Sequence, residues 1–141
     1  MALLKRVLYV EAALGMISGV ALAAVPKFTL VTVFRQVHYP EYAWVRLVGI
    51  QAIGLSLLAV LVAQRIEELW WWSWAFAIPT GAAALLFGLN AAFGLHCIGP
   101  AQIGPTCPSP VMWWAYAAVS ALLTAGFLVG LTRTGRRSFP V

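Results

Sequence analysis

Charge is what this sequence has least of. Of its 141 residues only 9% are charged and four are acidic, whereas a soluble domain carries roughly 25% charged residues. That scarcity excludes a soluble enzyme domain and a disordered tail. It excludes a nucleic-acid reader as well. The net charge of +5 comes from nine Lys and Arg against those four acids, and nucleic-acid binding needs cations clustered on one surface. Here they fall at the ends of long apolar runs. Cysteine is nearly absent too, with two residues and no C-x-x-C motif, so a self-contained thiol oxidase lacks its second, reactive pair. With only two histidines, His38 and His96, both near one surface, a haem clamped between facing histidines is disfavoured.

Apolar residues fill the space that charge leaves. They make up 62% of the chain, and the mean hydropathy is +0.90. A bilayer core about 30 Å thick needs roughly 20 mostly apolar residues in a helix. Four stretches meet this: Val7 to Val25, Ala43 to Ala63, Trp70 to Leu95 and Val111 to Leu131. Backbone groups in lipid must be satisfied internally, so runs this long are helices. The period-2 alternation of a barrel strand is missing. The expected fold is therefore an all-α, four-transmembrane-helix bundle, a single integral membrane domain over residues 1–141 with a short interfacial segment after helix 1. "MALLKR" and the small residues Ala21-Leu22-Ala23 imitate a signal peptide. Glu11 interrupts the apolar region, so the segment is read as a retained span.

Lys and Arg mark the cytoplasmic side. Lys5, Arg6, Arg65, Arg133, Arg136 and Arg137 fall on one side, six in all, against Lys27 and Arg35, or three with Arg46. Both termini are expected in the cytoplasm, in a bacterial inner membrane. Trp44, Trp70, Trp71, Trp72, Trp74, Trp113 and Trp114 all lie at span starts, as interface anchors do. Small residues recur every four positions: Gly15, Gly19 and Ala23; Ala84, Gly88 and Ala92; Ala117, Ala121 and Ala125; and Ala52 with Ser56. Such rows let helix backbones approach closely in lipid. Pro79 predicts a kink in span three. Ser109 before Pro110 predicts where span four starts.

Polar residues inside spans are functional hypotheses by default. Glu11 is the foremost, an intramembrane acid read mainly as an interfacial ion-pair member with Lys5, Arg65 or Arg133. A proton relay would need polar groups at successive depths, and the inner halves of the other spans offer none on this reading. Arg46, Gln51 and Asn90, with His38 and His96, form a candidate polar or ligand site. Gln51, Asn90 and Ser56 serve equally as hydrogen-bonding glue between helices. Residues 28–41 are too short and polar to span and are expected to lie in the outer interface, bounded by Pro26 and Pro40. Cys97 and Cys107 share an uncharged outer loop in the oxidising compartment, where a structural disulfide is expected. Closing so short a loop contributes roughly 2.5–3 kcal/mol.

The second span opens "WVRLVGIQAIGLSLL", with Arg46, Gly49 and Gly54, behind a semi-amphipathic first loop. In this layout the chain resembles the DoxX-like group of small four-helix membrane proteins, over most of its length as a pattern and on one short motif. The resemblance implies a bundle often associated with redox or membrane-assembly partners, without a fixed active site. It supplies no catalytic residue. The expected function is an accessory or structural subunit of a larger membrane complex, energy-converting or redox, with other membrane subunits or a second copy as partners alongside the lipid bilayer. Two readings from other classes stay open. One is a quinone-linked redox protein using Cys97 and Cys107; the other is a small transporter or lipid binder using Arg46, Gln51 and Asn90. No metal or cofactor is expected, and contact with quinone, haem or pigment belongs to the alternatives.

Overall fold

The computed structural model describes residues 1–33, 41–93 and 110–138. The described residues are helical with no strand among them, in the order α1 (Ala2–Ala24), α2 (Pro26–Phe28), α3 (Ala43–Gln64), α4 (Ile66–Leu69), α5 (Trp74–Phe93) and α6 (Pro110–Ser138). Four helical stretches are long and apolar enough to cross a membrane: Ala2–Ala24, Ala43–Gln64, Ile66–Phe93 and Trp113–Thr134. The all-α four-helix bundle expected from composition is the observed architecture.

The helices run further than the apolar runs. α1 begins at Ala2, taking in Lys5 and Arg6, and α6 continues past Arg133. Long basic side chains extend along a helix end to reach headgroups, so they need not terminate the helix. Span three begins at Ile66, not Trp70. Only Arg65 separates it from α3: the Arg65 N–H bonds the Leu61 carbonyl at 3.1 Å, and the Arg65 carbonyl accepts from the Leu69 N–H at 2.9 Å. α5 is helical on both sides of Pro79, the position of the expected kink. Ahead of it, a 3-10 turn over Trp70–Ser73 departs from α geometry. Pro110 does open α6.

After α1 the chain breaks at Val25 (φ −129°, ψ 57°), and Pro26 starts a single turn. A wider π turn follows over Thr29–Val33. The Thr29 hydroxyl sits 3.1 Å from the Ala21 carbonyl and 3.0 Å from that of Val25, within reach of either at the end of α1, where both carbonyls also accept backbone N–H groups. The segment after α1 is thus helical from Pro26, two residues before the Phe28 start expected of it. Its remainder, with Arg35, His38 and Pro40, lies outside the described residues.

Pairing follows the glycines. α1 lies against α3 and α5 against α6, and α1 also meets α6. A Cβ placed on Gly49 would stand 2.6 Å from the Ala23 nitrogen and 2.7 Å from the Gly19 carbonyl oxygen. One on Gly19 would stand 2.9 Å from the Gly49 oxygen, and one on Gly15 would meet the Ser56 hydroxyl. Backbones this close are the product of small-residue rows in lipid, where no hydrophobic force drives helices together. The α1 row was legible in advance.

The α6 row was not. Ala117 is buried, but Ala121 and Ala125 are exposed. Gly126 and Gly130 make the contact instead, meeting Val7 and Leu4 of α1. The shared core is built from Leu4, Leu8 and Ala12 of α1, Val62 of α3, Phe76 of α5 and Phe127 of α6, among others. It occupies the half that carries the chain's N-terminus. Beyond Thr80, α5 buries no residue as far as Phe93.

Candidate functional site

Glu11 is the one acidic residue within the four apolar stretches apart from those at the start of span three, and its surroundings on α1 are apolar. The positions that neighbour it on a helix surface are three and four residues away, and here they are Val7, Leu8, Leu14 and Gly15. No basic residue of α1 can reach it in that way. With α1 beginning at Ala2, a rise of 1.5 Å per residue puts Glu11 about 14 Å along the axis. That is near the middle of the helix, deeper than a start at Val7 implies.

At that depth the partner is Thr80 of α5. Its Oγ1 lies 3.1 Å from Glu11 Oε1 and 2.7 Å from the Phe76 carbonyl oxygen one turn earlier in the same helix. Thr80 is buried and Glu11 half-buried. Among the described residues Glu11 makes no ion pair, so the expected partnership with Lys5, Arg65 or Arg133 is replaced by a hydrogen bond between spans one and three. The reason is geometric. All three basic residues are exposed and sit toward the terminal end of the bundle, with Arg133 beside Met1, Ala2 and Leu3 around a cavity of about 210 Å³.

Buried polar groups lie at the level of Glu11 and toward the end of the bundle that carries the N-terminus: Ser73, Thr80 and Thr134, at 0%, 7% and 0% exposure. Thr134 bonds the Gly130 carbonyl at 2.8 Å. The Ser73 hydroxyl, two turns before Thr80 on α5, has no hydrogen-bond partner among the described residues. Hydroxyls of this kind pass unnoticed in a sequence because Ser and Thr inside a helix return their proton to a carbonyl of the previous turn. The signal that finds Thr80 is depth, because it stands near the midpoint of Ile66–Phe93 as Glu11 does of α1.

The other polar candidates do not converge. Arg46 and Gln51 are exposed on α3, and Asn90 donates to the Leu86 carbonyl of its own helix at 2.9 Å. Ser56 likewise bonds Ala52 at 2.7 Å. No hydrogen bond joins Arg46, Gln51 and Asn90, and the glue expected of Gln51, Asn90 and Ser56 is supplied across helices by Glu11 and Thr80. His38, His96, Cys97 and Cys107 lie outside the described residues, as does the disulfide expected of the cysteines. Among the described residues no group of three or more His, Cys, Asp or Glu is placed to hold a metal.

Trp44 and Trp114 are exposed near span starts, as anchors would be; Trp71, Trp72 and Trp74 are also exposed, but lie more than one turn inside the stretch that opens at Ile66. Two turn inward. Trp70 packs against the shared core, and Trp113 lies 5.6 Å from Phe87, ring centre to ring centre, with Tyr116 on the same phenyl at 5.6 Å. Tilted aromatic pairs at that spacing are favourable beyond their burial. They hold α5 to α6 where small residues do not.

Comparison of the chain with protein-family models, with curated proteins and with solved structures finds no match.

Proposed function

We propose that this chain is an accessory subunit of a larger membrane assembly, of an energy-converting or redox kind, contributing helix surface and no reaction of its own. The observation that carries the reading is an unused small-residue row. Gly15 and Gly19 of α1 are packed tightly on α3, yet among the described residues a Cβ on Gly88 of α5 would meet nothing within 4 Å, and neither would one on Gly54 of α3. Gly88 stands between Ala84 and Ala92, one helical turn to either side. In lipid, a row of this kind lets another backbone come close. The likeness of "WVRLVGIQAIGLSLL" to DoxX-like proteins supports the same reading. In this proposal the termini, with Lys5, Arg6 and Arg133, face the cytoplasm of a bacterium.

The test is purification from the native membrane in mild detergent, followed by mass spectrometry of intact assemblies. A defined stoichiometric complex supports the proposal. A monodisperse, solitary chain refutes it. An Arg46→Ala variant that lost binding of a small ligand would favour the transporter reading instead.

A further inference from the structure

We propose that Glu11 is an intramembrane proton-binding site, in which the bound proton joins span one to span three through Thr80. Thr80 Oγ1 lies within bonding distance of two acceptors, the Phe76 carbonyl at 2.7 Å and Glu11 Oε1 at 3.1 Å. A threonine hydroxyl has one proton to donate and two lone pairs to accept with. An ionised Glu11 and the Phe76 carbonyl can only accept, and would compete for that single proton. Both contacts are hydrogen bonds at once only when the Glu11 carboxyl is protonated and donates. The result is a directed chain: the Glu11 acid O–H donates to Thr80 Oγ1, and the Thr80 O–H donates to the Phe76 carbonyl.

Release of the proton rearranges the chain without any other reactant. The carboxylic acid gives up one proton to water, and the Thr80 hydroxyl swings its own proton from Phe76 to the new carboxylate. Two hydrogen bonds become one, and a charge is left near mid-membrane, where an ionised group is costly. Among the described residues no charged group bonds it; Lys5 and Arg6, exposed on the same helix, lie more than one turn away. On α1 the adjacent positions are apolar; α3 contributes Arg46 near one end and Arg65 past the other. Span three has Glu67 and Glu68 at its start and no charge beyond, and α6 has none before Arg133. None of these bonds Glu11. Its half-buried carboxyl and the buried, unpartnered Ser73 hydroxyl two turns toward the terminal end leave polar footing for a proton to arrive.

The experiment is infrared difference spectroscopy of the full chain in lipid nanodiscs across a pH series. At neutral pH the wild type is expected to show the carbonyl stretch of a protonated carboxylic acid, absent from Glu11→Gln. The band should fade on raising the pH and return on lowering it, as a single titration. Thr80→Val should shift its frequency, because the acid proton loses its acceptor, and Thr80→Ser should restore it. Where Thr80→Val does not fold, Thr80→Ala against Thr80→Ser gives the same contrast. Identical spectra for wild type and Glu11→Gln at every pH at which both are folded would overturn the proposal. So would a Glu11 band that ignores loss of the Thr80 hydroxyl.

Discussion

Replacing Gly49 with Ala sets two effects of known size against each other. Alanine is the better helix residue by about 0.8–1.0 kcal/mol, and that gain applies at any glycine inside a helix. Against it stands the crossing of α1 and α3. The new methyl would lie 2.6 Å from Ala23 nitrogen, 2.7 Å from Gly19 oxygen and 3.0 Å from Leu22 carbonyl carbon. All three are backbone atoms, so no side chain can rotate away and a helix must move. Overpacking costs typically about 1–3 kcal/mol, and clashes with backbone belong at the upper end. The net expectation is a loss of about 2 kcal/mol, near the thirtyfold end of the range in the folded-to-unfolded ratio. Gly88→Ala is the control, since among the described residues its methyl meets nothing within 4 Å. It keeps the propensity gain and should equal or exceed wild type. Equilibrium unfolding of the detergent-solubilised chain measures both. Gly49→Ala as stable as wild type, or Gly88→Ala the more damaging of the two, would refute the reasoning.

Three further outcomes follow from the same contacts. Thr80→Val should cost about 0.6 kcal/mol and no more than about 1.7, the range measured for hydrogen bonds between membrane helices; a double-mutant cycle with Glu11→Ala, which removes the partner outright, should return most of that as coupling, and zero coupling would deny the contact. At the α1–α6 crossing, Gly130→Ala should be worse than Gly126→Ala. The first methyl meets Leu4 at its α-carbon, 3.2 Å away, as well as its side chain, whereas the second meets only the side chain of Val7, at 2.9 Å, as unfolding of the two variants would show. Single-cysteine labelling from each side of sealed vesicles should find position 5 and position 133 on the same, cytoplasmic, face; opposite faces would break the four-span topology.

The spans were legible because each is a long run with few charges, and length and hydropathy are one-dimensional properties. Pairing is not one-dimensional. In span four, Ala117, Ala121 and Ala125 share a spacing of four with Gly126 and Gly130, and nothing along the chain says which row meets α1 and which meets lipid. In span one, three small residues on one face left fewer choices, and the row was identified correctly. Glu11 stood out as an acid in an apolar run, but its partner did not. An ion pair was the expectation from charge alone, and charge is blind to depth. Lys5, Arg65 and Arg133 are exposed toward the ends of their helices, while Thr80 is a modest hydroxyl at the level of Glu11. The tryptophans repeat the lesson. Their position at span starts predicts anchoring for all seven, yet whether a ring turns out or in depends on the neighbouring helix, as Phe87 shows for Trp113.

The proposed subunit role requires other membrane helices to pack on surfaces such as the row around Gly88. Native mass spectrometry of the complex extracted in mild detergent, with wild type beside Gly88→Leu, tests it most directly. A stoichiometric assembly with a membrane partner, lost or weakened in Gly88→Leu while the four-helix fold persists, is the predicted result. A solitary wild-type chain, or an assembly indifferent to Gly88→Leu, would contradict it.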